Sequence, residues 1–201
     1  HEGRREDLRD LSSASSDRLG VRIERTAGTA ATLADYYIDM SFTATQQQLG
    51  FQQVARGYLS NGEGQLNFDL TAVATISETE ITYDQDYEIS LAGTDARITY
   101  DGFVASDWEG GSQTLSIDAL VRGSGTSVRF VVDADEESLA GEIYHGDQLV
   151  ATISGSLDFP VFTNEATGEE LTEAQLAALG DVFNALGVLF ELAEAIFGGA
   201  Q

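Results

Sequence analysis

The chain has 201 residues, of which 34 are acidic and ten are basic, so its formal net charge is −24. It contains neither lysine nor cysteine, which excludes disulfides, thiol nucleophiles, Schiff-base chemistry and a Walker A phosphate loop. The charge argues against nucleic acid and anionic lipid surfaces as partners, and His145, the only histidine after the N-terminus, cannot by itself build a zinc site.

The first 25 residues differ in character from the rest of the chain. They contain six arginines and six acids, so the whole net charge belongs to residues 26–201. They also include a serine-rich run at 12–16. We therefore expect a flexible leader or tether over residues 1–25, with a short helix at Arg4–Leu11, followed by one domain over 26–201.

The middle of the chain alternates apolar and polar residues. From about Tyr36 to Phe159 the period is two, and glycine-containing turn segments separate the runs. This pattern predicts a mainly β fold, an antiparallel up-and-down meander of about 8–10 strands with one apolar face and one polar face. Two of the strands, near Ile38–Thr45 and Phe51–Ser60, have the weaker pattern.

Pairing the predicted strands tests whether one apolar face is continuous, because a slip of one residue inverts the face. Loops at 77–80, 84–86, 93–96, 134–137 and 146–148 satisfy this condition. The directly opposed pairs that follow are Ile76 with Ile81, Tyr83 with Tyr87, Leu91 with Ile98, Val104 with Leu115, Val121 with Val128, Val132 with Leu139, and Ile143 with Ala151.

The C-terminal segment predicts an amphipathic helix over residues 172–197. Thr172 and Gln175 fit a capping box, and glycines follow Phe197. The helix is apolar over most of its circumference, so we expect it to pack on the apolar face of the sheet. Because a helix about 10 Å across cannot cover ten flat strands, we expect a curved sheet, either a barrel or a half-barrel wrapped on the helix. Docking of the helix on a partner or a second copy is the alternative.

Other residue patterns suggest chemistry only weakly. The stretch Val182–Phe197 contains three polar residues and is too short for a transmembrane helix. His145 is predicted to be a structural residue at a hairpin end. Carboxylates in the loop Asp84–Asp86 and around Asp133–Glu137 could hold calcium but lack an EF-hand pattern. Trp108, in the longest loop, is interpreted as covering the end of the sheet rather than contacting carbohydrate.

The functional prediction follows from the apolar interior. We expect no catalytic residues, no metal and no cofactor, and a binding site for an apolar small molecule or a protein partner at the seam between sheet and helix. The residues expected to line it are Tyr83, Tyr87, Tyr100, Phe183, Leu186 and Phe190.

The predicted setting is extracytoplasmic: periplasmic, cell-surface or secreted. Two alternatives stay open, a structural or assembly subunit of a cell-surface complex and a carboxylate-dependent glycan hydrolase. The acidity without lysine favours a salty environment, in which a high net charge maintains solubility.

Overall fold

The computed structural model describes residues 4–8, 16–25, 31–44, 48–60, 64–107 and 113–198. Within these ranges the chain forms one antiparallel sheet in which every strand pairs with its neighbours in sequence, and one helix follows. The prediction of a mainly β meander with a C-terminal helix is confirmed. The elements are β1 (Arg4–Leu8), β2 (Ser16–Arg25), β3 (Ala31–Ala44), β4 (Gln48–Ser60), β5 (Gln65–Ser77), β6 (Glu80–Leu91), β7 (Arg97–Asp107), β8 (Gln113–Gly123), β9 (Thr126–Ala134), β10 (Leu139–His145), β11 (Gln148–Gly155), β12 (Pro160–Asn164) and α1 (Glu173–Gly198).

The sheet is open, with β1 and β12 as its two edges. The twelve described strands exceed the predicted number for two reasons. The sheet continues into the N-terminal segment as β1 and β2, so the predicted helix at Arg4–Leu11 is wrong, and the charge boundary near residue 25 is not a boundary of the sheet. In addition, β12 follows the alternating region, which ends near Phe159.

Most of the predicted strand pairing is correct. The structure confirms Ile76 opposite Ile81, Val104 opposite Leu115, Val121 opposite Val128, and Ile143 opposite Ala151. Two predicted pairs, Leu91 with Ile98 and Val132 with Leu139, are wrong by two residues. A shift of two leaves each side chain on the predicted face of the sheet but gives it another partner. The observed pairs there are Ile89 with Ile98, and Ala134 with Leu139.

The predicted loop at 84–86 is wrong, because β6 runs through it without a break. Asp84 and Asp86 both lie on the outer face, and Gln85 lies on the inner face between Ala72 and Gly102 on the neighbouring strands. The Gln85 Nε2 donates to the Tyr87 hydroxyl at 3.1 Å, and the Tyr100 ring lies over Gly102, where a Cβ would be 2.3 Å from the Tyr100 hydroxyl oxygen. A polar residue at an inward position is therefore compatible with a continuous strand here.

The turn between β10 and β11 also differs from the prediction in detail. The loop is the two-residue Gly146–Asp147 rather than three residues, and Gly146 has a φ of 61°. A bulge between Ile143 and Tyr144 restores the face, since Tyr144 pairs with Leu149 while Ile143 pairs with Ala151. Val150 is thus the extra residue, and the bulge lies beside the cavity described below.

One row of directly opposed residues forms the centre of the core. It crosses nine strands, from β3 to β11, and every member is buried. At about 4.8 Å between strands the row is about 38 Å long. The row consists of Ile38, Ala55, Leu70, Tyr87, Tyr100, Ala119, Phe130, Ile143 and Ala151.

The helix lies across the strands, above this row. Residues in its first half, Leu179 and Val182, pack with β9–β12, whereas Leu186, Leu189 and Ile196 in the second half pack with β3–β8. Its 26 residues span about 39 Å at 1.5 Å per residue, which matches the row. Because the helix runs across the strands, its length of about 39 Å, and not its width of about 10 Å, determines how many strands it covers. The sequence-based argument had used the width.

The start of the helix follows the sequence prediction. Gln175 Oε1 accepts hydrogen bonds from the Thr172 backbone nitrogen at 2.9 Å and from Thr172 Oγ1 at 2.8 Å. By length and mean hydropathy, 1.6, the segment Glu173–Phe197 is sufficient to cross a membrane, a criterion that the core helices of globular proteins also meet. This segment is longer than Val182–Phe197, the stretch that the sequence analysis considered too short for a transmembrane helix.

The outer face of the sheet carries the charges. In the described part of the chain, five arginines each form an ion pair with a carboxylate on an adjacent strand, and these pairs are exposed. They are Arg18–Asp39, Arg22–Asp35, Arg56–Asp69, Arg97–Glu88 and Arg129–Asp118. Between them, Asp86, Asp101 and Asp118 lie directly opposite one another on β6, β7 and β8.

Candidate functional site

The six residues predicted to line a binding site separate into two groups. Tyr87, Tyr100 and Leu186 are buried in the core under the helix. Tyr83, Phe183 and Phe190 are exposed by 51%, 46% and 38%, respectively. The structure therefore places these six partly inside the packed interior and partly on the surface.

Aromatic contacts fill the space between Tyr87, Tyr100 and the helix. The Phe190 ring packs edge-on against Tyr100 at a centroid distance of 4.7 Å, and Tyr87 lies 6.1 Å from Tyr100. Phe183 instead contacts Phe130 at 4.8 Å. Burial raises the pKa of both tyrosines, so their hydroxyls stay neutral at physiological pH. This cluster is a packing interface between helix and sheet.

A cavity of about 350 Å³ lies at the same seam, but nearer the start of the helix. Eight of its lining residues are apolar, three are amides and none is charged. β10 and β11 supply one wall, the connection after β12 a second, and the first two turns of the helix a third. The lining residues are Ile143, Gln148, Leu149, Val150, Ala151, Asn164, Ala166, Leu171, Gln175, Ala178 and Leu179.

The β-bulge at Val150 and the turn after β12 explain why a cavity forms here. The Glu165 backbone nitrogen donates to the Val150 carbonyl at 3.1 Å, and Leu171 donates to Phe162 at 2.9 Å, so the connection from β12 to the helix folds back onto the sheet edge. Ile143 and Ala151 form a buried floor, whereas Ala166 and Ala178 are exposed at the mouth. The small alanines leave the space open.

Two of the three amides have their oxygen atoms already occupied. Asn164 Oδ1 accepts from the backbone nitrogens of Ala166 and Thr167 at 2.9 and 3.2 Å. Gln175 Oε1 is held by Thr172, as described above. Because each oxygen faces a backbone N–H, the orientation of both amides is fixed. The groups that these amides still offer are their NH₂ donors, for which the described residues provide no hydrogen-bond partner.

None of the six predicted residues lines this cavity. The cavity lies at the start of the helix, whereas the predicted residues Phe183, Leu186 and Phe190 lie further along it. Two features of the sequence indicate where the cavity forms. One is the pair of small residues, Ala166 and Ala178, before and after the capping box; the other is the β10–β11 hairpin, in which Val150 has no partner.

A second apolar surface is the part of the inner face that the helix leaves uncovered. A row of directly opposed residues crosses β3–β8 there, beyond the end of the core. Phe42 is 60% exposed, and its ring contacts the Phe51 ring in a tilted arrangement at a centroid distance of 4.8 Å. We call this row the uncovered strip; it consists of Phe42, Phe51, Ala74, Tyr83, Val104 and Leu115.

Two other residues from regions singled out in the sequence, His145 and Asp135, make local contacts within the fold. His145 ends β10, is exposed, and its Nε2 lies 2.8 Å from Thr126 Oγ1 across the turn. Asp135 Oδ1 accepts from Glu137, from the Ser138 nitrogen and from the Ser138 hydroxyl, and these bonds lower the pKa of Asp135. Trp108 lies outside the described residues. Among the residues that are described, no group of three potential metal ligands converges.

Comparison with known proteins gives no relatives: neither a family model, nor a curated protein, nor a solved structure matches the chain.

Proposed function

We propose that the protein is a non-catalytic domain that binds a small apolar molecule in the cavity between β10, β11 and the start of α1. The observation that carries the proposal is the cavity itself, about 350 Å³ with eight apolar lining residues. This volume lies within the range of small-molecule sites, which combine apolar walls with a few polar groups. The setting we propose is extracytoplasmic, as the sequence analysis predicted.

The distribution of polar groups supports a binding role over a catalytic one. Apart from the phenols of Tyr87 and Tyr100, which burial keeps neutral, the described residues place no ionisable or nucleophilic side chain in the interior, where enzymes hold desolvated acids and bases. The carboxylates relevant to the hydrolase alternative line two clefts, one with Asp135, Glu136 and Asp158 and one with Asp133 and Asp135. Asp135, which both clefts share, has a lowered pKa, whereas a general acid needs a raised one.

Filling the cavity tests the proposal. Prodan, a neutral naphthalene ketone whose emission shifts in apolar surroundings, is titrated into the wild type and into Ala178→Phe. We expect saturable one-to-one binding to the wild type and a loss of about tenfold or more in affinity in the variant, because the new ring occupies the cavity. Ala177→Phe is the matched control, since Ala177 is exposed on the same turn and does not line the cavity. Equal affinity in all three proteins contradicts the proposal.

A second candidate function, as a structural or assembly subunit of a cell-surface complex built from copies of the chain, is favoured by the uncovered strip. Contiguous exposed apolar rows are uncommon on monomers and mark interaction surfaces. Phe42→Ser with Tyr83→Ser, which removes the two most exposed aromatics of the strip, tests it. Under this alternative the wild type associates at high concentration in sedimentation measurements and the double variant does not. A wild type that stays monomeric contradicts assembly with itself.

A further inference from the structure

We infer that the ligand of the seam cavity is an uncharged molecule whose polar group is a hydrogen-bond acceptor, such as a ketone or an ester, and that carboxylates and amines are rejected. This inference rests on the proposed function and specifies its ligand class. Three features of the cavity support it: the lining carries no charge, two of its amides offer only hydrogen-bond donors, and acidic residues lie nearby.

The absence of charge in the lining argues against an ionised ligand. A carboxylate or an ammonium group moved from water into an apolar cavity loses hydration that only a partner charge or several hydrogen bonds replace. None of the lining residues is an arginine or an acid. The apolar body of a neutral ligand, in contrast, gains the full hydrophobic contribution of the apolar walls.

The acids around the cavity strengthen the discrimination against anions. Glu165 separates two lining residues, Asn164 and Ala166, and Glu173 lies in the first turn of the helix, two residues before Gln175. The partial positive charge of a helix N-terminus would attract an anion. Here the first-turn acid and the net charge of −24 oppose that attraction.

The fixed amides select the polarity of the ligand's hydrogen-bonding group. Asn164 and Gln175 use their oxygens within the protein and keep only NH₂ donors for a ligand. An acceptor oxygen on the ligand satisfies such a donor, whereas an amine that faces Asn164 or Gln175 places donor against donor. An uncharged ketone or ester meets the conditions set by the amides and by the uncharged walls together.

The volume limits the ligand's size. A cavity of about 150 Å³ accommodates a benzene ring, so the seam cavity, at about 350 Å³, holds roughly twice that volume. The matched probes are therefore 2-decanone, decanoate and decylamine, which share a chain and differ in the head group. Calorimetric titration at neutral pH is expected to give binding of 2-decanone about tenfold or more tighter than either charged probe.

Two isosteric variants test the role of the amides. Gln175→Glu keeps the capping box, since glutamate serves at that position, and Asn164→Asp keeps the acceptor of its turn. Both remove the NH₂ donor, so we expect each to weaken 2-decanone about tenfold and to improve decylamine. Ala177→Glu adds the same charge on the neighbouring helix face without reaching the cavity and should leave all three affinities unchanged.

The outcomes separate the two proposals. If neither 2-decanone nor Prodan binds the wild type, the proposed function fails and the ligand class fails with it. If the cavity binds apolar probes and Ala178→Phe abolishes binding, but the three decyl probes bind equally or the isosteric variants change nothing, the proposed function stands and the inferred ligand class is wrong. Thermal unfolding of each variant, unchanged from wild type, verifies that the fold is intact.

Discussion

Replacing Asp101 with asparagine is expected to stabilise the protein at neutral pH. Asp101 lies directly opposite Asp86 on one side and Asp118 on the other, on the outer face of the sheet. Asp118 is already held by Arg129, whose Nε donates to it at 2.8 Å, and no such pair is found for Asp101 in the described structure. Burial, followed by repulsion from neighbouring aspartates, raises the pKa of Asp101.

The expected gain is modest. Like charges directly opposite in a sheet destabilise it by about 0.2–1 kcal/mol for each pair. Because Arg129 largely compensates Asp118, we attribute the repulsion to Asp84 and Asp86 and expect about 0.5 kcal/mol from Asp101→Asn. In a protein of this length, that free energy corresponds to an increase of about 1–2 °C in Tm.

The sign of the pH dependence provides the critical measurement. A raised folded-state pKa means that protonating Asp101 favours the native state, so its penalty is present at neutral pH and disappears as the pH falls through that raised pKa toward the ordinary value of 3.8. Urea unfolding of wild type and Asp101→Asn at pH 7 and about pH 3 should therefore show the variant's advantage only at pH 7. The advantage should also shrink at about 1 M salt, where the screening length falls to about 3 Å.

An opposite sign is expected from the control Asp39→Asn. Asp39 lies directly opposite Arg18 and accepts from its guanidinium, so this variant should lose up to about 1 kcal/mol at pH 7. The reasoning is refuted if Asp101→Asn destabilises the protein at pH 7, or if its advantage is as large at pH 3 as at pH 7.

Three further outcomes are expected. Leu189→Ala, at a fully buried position between helix and sheet, should cost about 2–5 kcal/mol in urea unfolding, and a cost below 1 kcal/mol would contradict the packing of the helix. Gly57→Ala should cost about 1–3 kcal/mol, since a Cβ there would lie 2.3 Å from the Asp35 carbonyl oxygen and from the Tyr36 Cβ, so the backbone of β3 must shift; an unchanged midpoint would show that β3 moves freely at this point. The wild-type urea midpoint should rise between about 0.1 and 1 M NaCl, and a constant midpoint would exclude charge repulsion as a major cost.

The candidate site shows that residue type alone does not locate a cavity. The sequence predicted a site at the seam from the aromatic residues, and Tyr100 and Phe190 do meet there, but they pack at 4.7 Å and leave no space between them. Whether the space between sheet and helix is filled or empty depends on the distance between the two elements as well as on the side chains between them. Here the bulge at Val150 and the turn after β12 move one wall away from Ala178.

The sequence by itself determined the meander, its two faces, most of the strand registers, and the start of the helix at the capping box. These depend on local periodicity, on turn residues and on interactions a few residues apart, which a single chain displays directly. Its largest error within the predicted sheet, the turn at Asp84–Asp86, arose because the neighbours of Gln85 on the adjacent strands, Ala72 and Gly102, are distant in sequence.

Only the tertiary structure decided how the helix meets the sheet. Periodicity shows that the helix and the sheet each have an apolar face, but not the angle at which the two faces cross. The angle is set by the match between a helix of about 39 Å and a core row of about 38 Å, which buries the row from Ile38 to Ala151. The same placement leaves the uncovered strip exposed and opens the cavity at the start of the helix, because one straight helix cannot cover the whole of a wider sheet.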